Sequence, residues 1–315
     1  MNESIKNVIK RIPILNKFLA FLDSIKLKWL EGVSFLELIK FYVLGILQGD
    51  ISYRAAAISF SFFMALFPFL LFILNLISYI PIDGFQEDFI EFVRQNVPPT
   101  TFDAIYKIIS DILTNSYKGL LSTGFIMSIF LMTNGVNAIM SGFETSKHVS
   151  IKRAYFRQYF VALVISFTLV TILLITITAI VVFEVIIQKT IIQDVLSSKV
   201  SSKISLIELS RYAFVILMVL ISIAILFKFG IKQTRKRAFI TIGTVFTTIL
   251  IILSSYFFGI WVVKFSKYNE LYGSIGTLLV VMFYIWINCM VLLLGFELDA
   301  SISKLKHHHT KTPQL

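Results

Sequence analysis

The sequence predicts an all-α, polytopic membrane protein: six transmembrane helices, in-plane helices before them, and a small helical cap outside the bilayer. Three observations carry that expectation. Hydrophobic residues make up 57% of the chain and charged residues 15%, with a mean hydropathy of +0.84, well away from soluble averages. Residues 54–81 read RAAAISFSFFMALFPFLLFILNLISYIP, with no charge after Arg54 until Asp83. At about 1.5 Å per residue, a helix of that length crosses a hydrocarbon core of ~30 Å. Five further apolar stretches follow, at 119–143, 158–183, 212–229, 238–263 and 274–296.

Before the first span, residues 1–54 mix lysines with apolar residues. Ile5, Val8, Ile9, Ile12, Leu15, Phe18, Leu19, Leu22 and Ile25 recur at helical spacing with Lys6, Lys10, Lys17 and Lys26 between them. That pattern fits helices lying in the headgroup layer, split at Pro13, and equally a cytosolic helical hairpin with a basic face. Asn16, Lys17, Asp23, Lys26 and Lys28 interrupt any signal-peptide core, so the segment is read as mature protein. Residues 35–47 carry Glu37 and Lys40 and are too short to span, which makes them an in-plane elbow.

The transmembrane domain is placed at 55–300, with its cap at 81–118 and a cytoplasmic tail at 301–315. In the cap, Phe85, Phe89, Phe92 and Val93 form one helical stripe, and Phe102, Ile105, Ile108, Ile109, Ile112 and Leu113 form another. Pro98 and Pro99 separate the two, with Thr100 or Thr101 as N-cap of the second. Six spans put both termini on one side. The Lys and Arg residues on that side number eight, four, five and three by segment, against three, four and two on the other, so the termini are expected to be cytoplasmic.

The +11 formal charge therefore lies between spans, not on a folded basic surface, and nucleic acid is not an expected partner. Anionic lipid headgroups are. Their candidate contacts are Lys147, Lys152, Arg153 and Arg157 in one loop and Lys232, Arg235, Lys236 and Arg237 in another. A homo-oligomer is compatible with everything read here. Cys289, the single cysteine, lies in an apolar run and excludes an intrachain disulfide. His307, His308 and His309 form a short tract in a basic tail, read as solvated.

Polar side chains inside a bilayer are costly, and so mark the candidate site. In the second span Asn134, Asn137, Ser141 and Glu144 share one helix face. Thr277, Tyr284, Asn288, Gly295 and Asp299 do so in the sixth, and Thr241, Thr244, Thr248 and Ser255 in the fifth. Arg54, Ser61, Ala65, Pro68 and Asn75 can share a face of the first span, which Pro68 is expected to kink. Such stripes either line a polar path or serve helix–helix hydrogen bonding. Arg54, Glu144 and Glu297 lie near one membrane boundary, where they can snorkel to water or form a salt bridge closing the bundle. Phosphate-loop, G-x-S-x-G and H-E-x-x-H patterns are absent, so no catalytic, cofactor or metal residue is assigned and the chain is not expected to be an enzyme.

Three stretches resemble the YihY / virulence factor BrkB family, bacterial inner-membrane proteins formerly labelled ribonuclease BN-like. They are DISYRAAAISFSFFMALFPFLLFIL from Asp50, TNGVNAIMSGFETSKHVSIKRAYFRQ from Thr133, and LYGSIGTLLVVMFYIWINCMVLLLGFELDA from Leu271. Where family members commonly carry a tyrosine-rich run after the alanines, this chain has Phe60, Phe62 and Phe63. The resemblance implies six helices in a bacterial inner membrane and a family discussed as transporters, including of lipid-like molecules. Two functions are carried forward: a non-ATP-driven transporter or lipid translocator with a polar path gated near Arg54 and Glu144, and a non-transporting scaffold that binds a partner.

Overall fold

The computed structural model describes Ser24, Lys26 and residues 34–77, 84–96, 99–114, 118–149, 151–194, 200–232 and 238–311. These are almost wholly helical, with one isolated bridge between Lys26 and Ser34. The in-plane helices expected before residue 34 lie outside the described residues, as do Arg235, Lys236 and Arg237 and the side chains of His307, His308 and His309.

Helix α1 (Phe35–Gln48) opens at Ser34, whose hydroxyl accepts the Glu37 N–H at 3.1 Å, while Glu37 itself complements the helix dipole. Gly49 and Asp50 then turn the chain. Asp50 has φ 46, a left-handed geometry that aspartate tolerates better than most residues. Helix α2 (Ile51–Ile77) passes through Pro68 without a break in its assignment, and Ser128 donates to the Pro68 carbonyl at 2.6 Å from a neighbouring helix.

The cap consists of α3 (Phe85–Asn96) and α4 (Pro99–Thr114). Helix α4 begins at Pro99, upstream of the threonines expected to cap it, because the first turn makes no use of the N–H that proline lacks. Phe85, Ile109 and Leu113 are buried with Ile77 and Val181, which seats the cap on the end of α2 and on a later helix that carries Val181. Both apolar stripes read from the sequence contribute.

Helices α5 (Lys118–Glu144), α6 (Tyr155–Asp194), α7 (Val200–Phe229) and α8 (Ile242–Lys311) complete the bundle. Among the described residues, six segments are long and apolar enough to cross a membrane: Ile51–Leu71, Gly124–Glu144, Tyr155–Phe183, Glu208–Phe229, Ile242–Val262 and Leu278–Leu305. A straight α8 of 70 residues would reach about 105 Å. Instead Gly243 lies beside Asp299, Thr247 against Gly295, and the Ser255 hydroxyl 2.7 Å from that of Tyr284. The partner's number falls as the other's rises, so the fifth and sixth spans are antiparallel limbs of one hairpin. Thr241 and Thr244 start its first limb by capping each other's backbone N–H groups.

The second limb does not end where a tail was expected at 301. It continues to Lys311, burying Ile302 and Leu305 against Leu38 of α1.

Outward-facing Phe60, Phe130, Phe156, Phe160, Phe257 and Leu279 give the bundle an apolar perimeter. Inside it, close packing replaces the hydrophobic effect as the source of cohesion, because lipid tails are as apolar as leucine. Gly142 lets α5 approach α2, since a Cβ there would stand 2.9 Å from Ile58 Cδ1.

Candidate functional site

Alternating helix direction brings the start of α2, the end of α5, the start of α6, the end of α7 and both ends of the α8 hairpin to one end of the bundle. There the structure assembles a buried ionic cluster. Glu297, on the last span, has no exposed side-chain surface; its Oε2 stands 3.7 Å from Arg54 Nη2 and its Oε1 stands 3.7 Å from His148 Nε2. Ser146 donates to Oε1 at 3.0 Å, and Ser301 donates to the Glu297 carbonyl at 2.7 Å. Arg54 reaches across with Nη1 to the Gly142 carbonyl at 2.8 Å, tying α2 to α5.

The cluster is incompletely satisfied. Arg54 Nε and Nη2, both His148 ring nitrogens and Glu297 Oε2 are buried without a hydrogen-bond partner. Charges this deep gain from pairing only when their remaining donors and acceptors are also met, so this loose pairing is not an economical device for stability alone. Helix α1 closes the cluster from the side: Phe41 lies 6.1 Å, ring to ring, from His148, and burial together with the Glu297 charge pushes the Tyr42 phenol up to about 12.

Immediately inward lies an aromatic layer. Phe143 and Phe296 stack at 4.0 Å, and Phe227 meets both edge-on at 5.6 Å. All three are buried, and Phe143 and Phe296 directly precede Glu144 and Glu297 in sequence.

Other polar residues singled out in the sequence go elsewhere. Glu144 is buried, but it accepts the Arg153 N–H at 3.2 Å; the guanidinium that faces an acid across the bundle is Arg54, and its acid is Glu297. Tyr284 and Asn288 turn to the first limb of their own hairpin, where they meet Ser255 and Ser254. Asn134 and Asn137 are partly buried. Ser141 accepts from Gln158 at 2.9 Å, Ser61 donates to its own helix at Ala57, and Asn75 donates to Leu71. A small cleft near Pro68, lined by Phe69, Phe125, Ser128, Met132 and Phe167, is apolar.

Of the basic residues expected at lipid headgroups, Arg153 is otherwise engaged: it donates to the Phe229 and Ile231 carbonyls at 2.8 and 2.7 Å and so closes the end of α7. Lys147, Lys152, Arg157 and Lys232 sit at exposed positions around the same end.

His148, Ser146, Tyr42 and Gly45 are cluster members that reading the sequence did not select. The available signal was negative: His148 is the one histidine outside the tail tract, in a loop between two spans.

The family model for Virulence factor BrkB matches residues 43–314. The chain belongs to that family. It is 28% identical over 264 residues to a Bacillus subtilis (strain 168) protein named as ribonuclease-like, YfkH, covering 82% of this chain and 93% of the relative. It is 24% identical over 253 residues to a UPF0761 membrane protein of Coxiella burnetii (strain Dugway 5J108-111), covering 78% and 85% respectively. No solved structure matches. This BrkB-family chain is a multi-pass helical membrane protein, and among its described residues no three His, Cys, Asp or Glu side chains gather as metal ligands would.

Proposed function

We propose that the chain is a non-ATP-driven transporter or lipid translocator, not an enzyme. Its path through the bundle is closed at one end by the ionic cluster and the aromatic layer beneath it. The observation that carries this reading is the Arg54–Glu297 pair: two opposite charges on different spans, buried, at 3.7 Å and with hydrogen-bonding atoms left unmet. Ionisable groups at such positions in membrane proteins mark pathways and gates more often than packing. The exposed Lys147, Lys152, Arg157 and Lys232 around the same end support a cytoplasmic orientation in a bacterial inner membrane and contact with anionic headgroups.

The test is reconstitution of the purified chain into phosphatidylglycerol/phosphatidylcholine vesicles containing fluorescently tagged phosphatidylglycerol, with dithionite quenching to read transfer between leaflets without ATP. The expected result is faster transfer than in protein-free vesicles, altered by Glu297→Gln. Transfer no faster than in protein-free vesicles removes the translocator reading. Recovery of one stoichiometric partner by crosslinking in that case favours the scaffold.

A further inference from the structure

A buried histidine beside a buried carboxylate, both incompletely hydrogen-bonded, is an arrangement that can hold a proton. We propose that Arg54, His148 and Glu297 form a proton-binding site in which His148 and Glu297 take up one proton between them and thereby loosen α1 from α8. This deepens the gated-path reading by naming its coupling ion. It depends on that reading only for the coupling, since proton uptake is measured separately.

Side-chain exposure is 10% for Arg54, 6% for His148 and 0% for Glu297, and both ring nitrogens of His148 lack partners. With the imidazole neutral, Arg54 and Glu297 balance. A proton arriving from solvent at His148 Nε2 turns that nitrogen into a donor aimed at Glu297 Oε1, and leaves the cluster with one uncompensated positive charge.

The groups facing it from each packed element do not absorb that charge. Tyr42 on α1 is a phenol held protonated, Asp50 lies at the exposed turn before α2 within electrostatic reach of Arg54, and Lys304 on α8 adds a second repulsion. The charge is relieved by water, and α1 is the element in the way: a Cβ on Gly45 would stand 2.5 Å from Glu297 Oε1 and 2.8 Å from His148 Nε2.

The pH sense follows from the same environment. Burial pushes the His148 imidazole below its ordinary value, Glu297 pulls it partly back, Lys304 pushes it down, and the Phe41 backbone on α1 pulls it up again. The loosened, hydrated state returns it toward about 6.5. Because the closed state binds the proton less well, closure is favoured above that ordinary value, and its advantage is lost as pH falls from there through the depressed one.

The experiment uses the chain's four histidines. In H307Q/H308Q/H309Q, His148 is the single imidazole and its titration is read by NMR of isotope-labelled histidine in nanodiscs. The expected midpoint lies below about 6.5, moves lower in E297Q and higher in K304Q. A midpoint at or above the ordinary value, or one that neither substitution moves, overturns the site. K304Q, at a partly exposed position, carries the comparison if E297Q does not fold. Hydrogen exchange of α1, corrected for the intrinsic pH dependence, should rise several-fold on acidification and stay flat in H148Q; a flat wild-type profile overturns the loosening. Titration without vesicle transfer removes the gated path and keeps the proton site, whereas transfer without titration does the reverse.

Discussion

Gly45 and Glu297 are separated by 252 positions in the chain, yet a single added carbon on Gly45 would fall 2.5 Å from the Glu297 carboxylate. Helix α1 is thus a packed wall of the ionic cluster. It is too short to span a bilayer, but its inward face buries Leu38 against Ile302 and Leu305 while Val43, Leu44 and Leu47 remain exposed.

Gly45→Val is the direct probe of that wall. The cluster packs directly against Gly45, so the added atoms must displace α1, Glu297 or His148, and overpacking of this kind costs about 1–3 kcal/mol. The expected outcome is a lowered unfolding midpoint in detergent together with faster hydrogen exchange confined to α1. A variant indistinguishable from the parent on both measures would show that α1 does not pack here.

The α8 hairpin closes on Gly295 against Thr247, where a Cβ would overlap the threonine hydroxyl. Gly295→Ala should therefore destabilise the protein, and Thr247→Ala should by itself cost little, since its hydroxyl only bonds back to Gly243 within its own limb. Combined, the second change should recover most of the loss from the first. Residues in contact couple by roughly 0.5–3 kcal/mol in such cycles; additive effects would mean that the limbs meet elsewhere.

What was legible beforehand divides along physical lines. Span number follows from long apolar runs interrupted by charge, a local property, and six apolar helices overlap the six expected stretches, although the first ends at Leu71 and the last runs on to Leu305. The partnership of Arg54 with Glu297 is not local. Arg54, Glu144 and Glu297 all read as boundary charges, and nothing in their spacing says which acid faces the arginine; that is settled by the Phe143–Phe296 stack, which sets α5 against α8, and by Arg153 engaging Glu144 from the adjoining loop. His148 was passed over because histidine reads as a metal ligand when clustered and as a solvated loop residue when alone. The facing of Asn288 toward Ser254 was invisible because the hairpin pairing of α8 depends on a bend, not on the polar stripe itself.

Arg153 links three elements: it closes two carbonyls at the end of α7 and presents its N–H to Glu144. Its guanidinium is held by those two carbonyls, so it is an anchored cation, not a mobile headgroup contact. Arg153→Lys retains charge but loses the fork that reaches both carbonyls. It should lower thermal stability almost as much as Arg153→Ala, by about 1–3 kcal/mol as expected for charged hydrogen bonds. Full rescue by lysine would mean that charge alone matters.

Cys289 offers a built-in reporter of the closed bundle. It is the only cysteine, 7% exposed, and packed in the same core as Phe143, Leu293 and Phe296. A maleimide that permeates membranes should leave it unmodified in the native protein and label it fully after denaturation, read by intact mass. The aromatic layer lies between Cys289 and the ionic cluster along the last span, so Phe143→Ala, which opens that layer, should bring measurable native labelling. Rapid labelling of the parent chain would place Cys289 on an open path and remove the closed end that the Arg54–Glu297 pair is held to form.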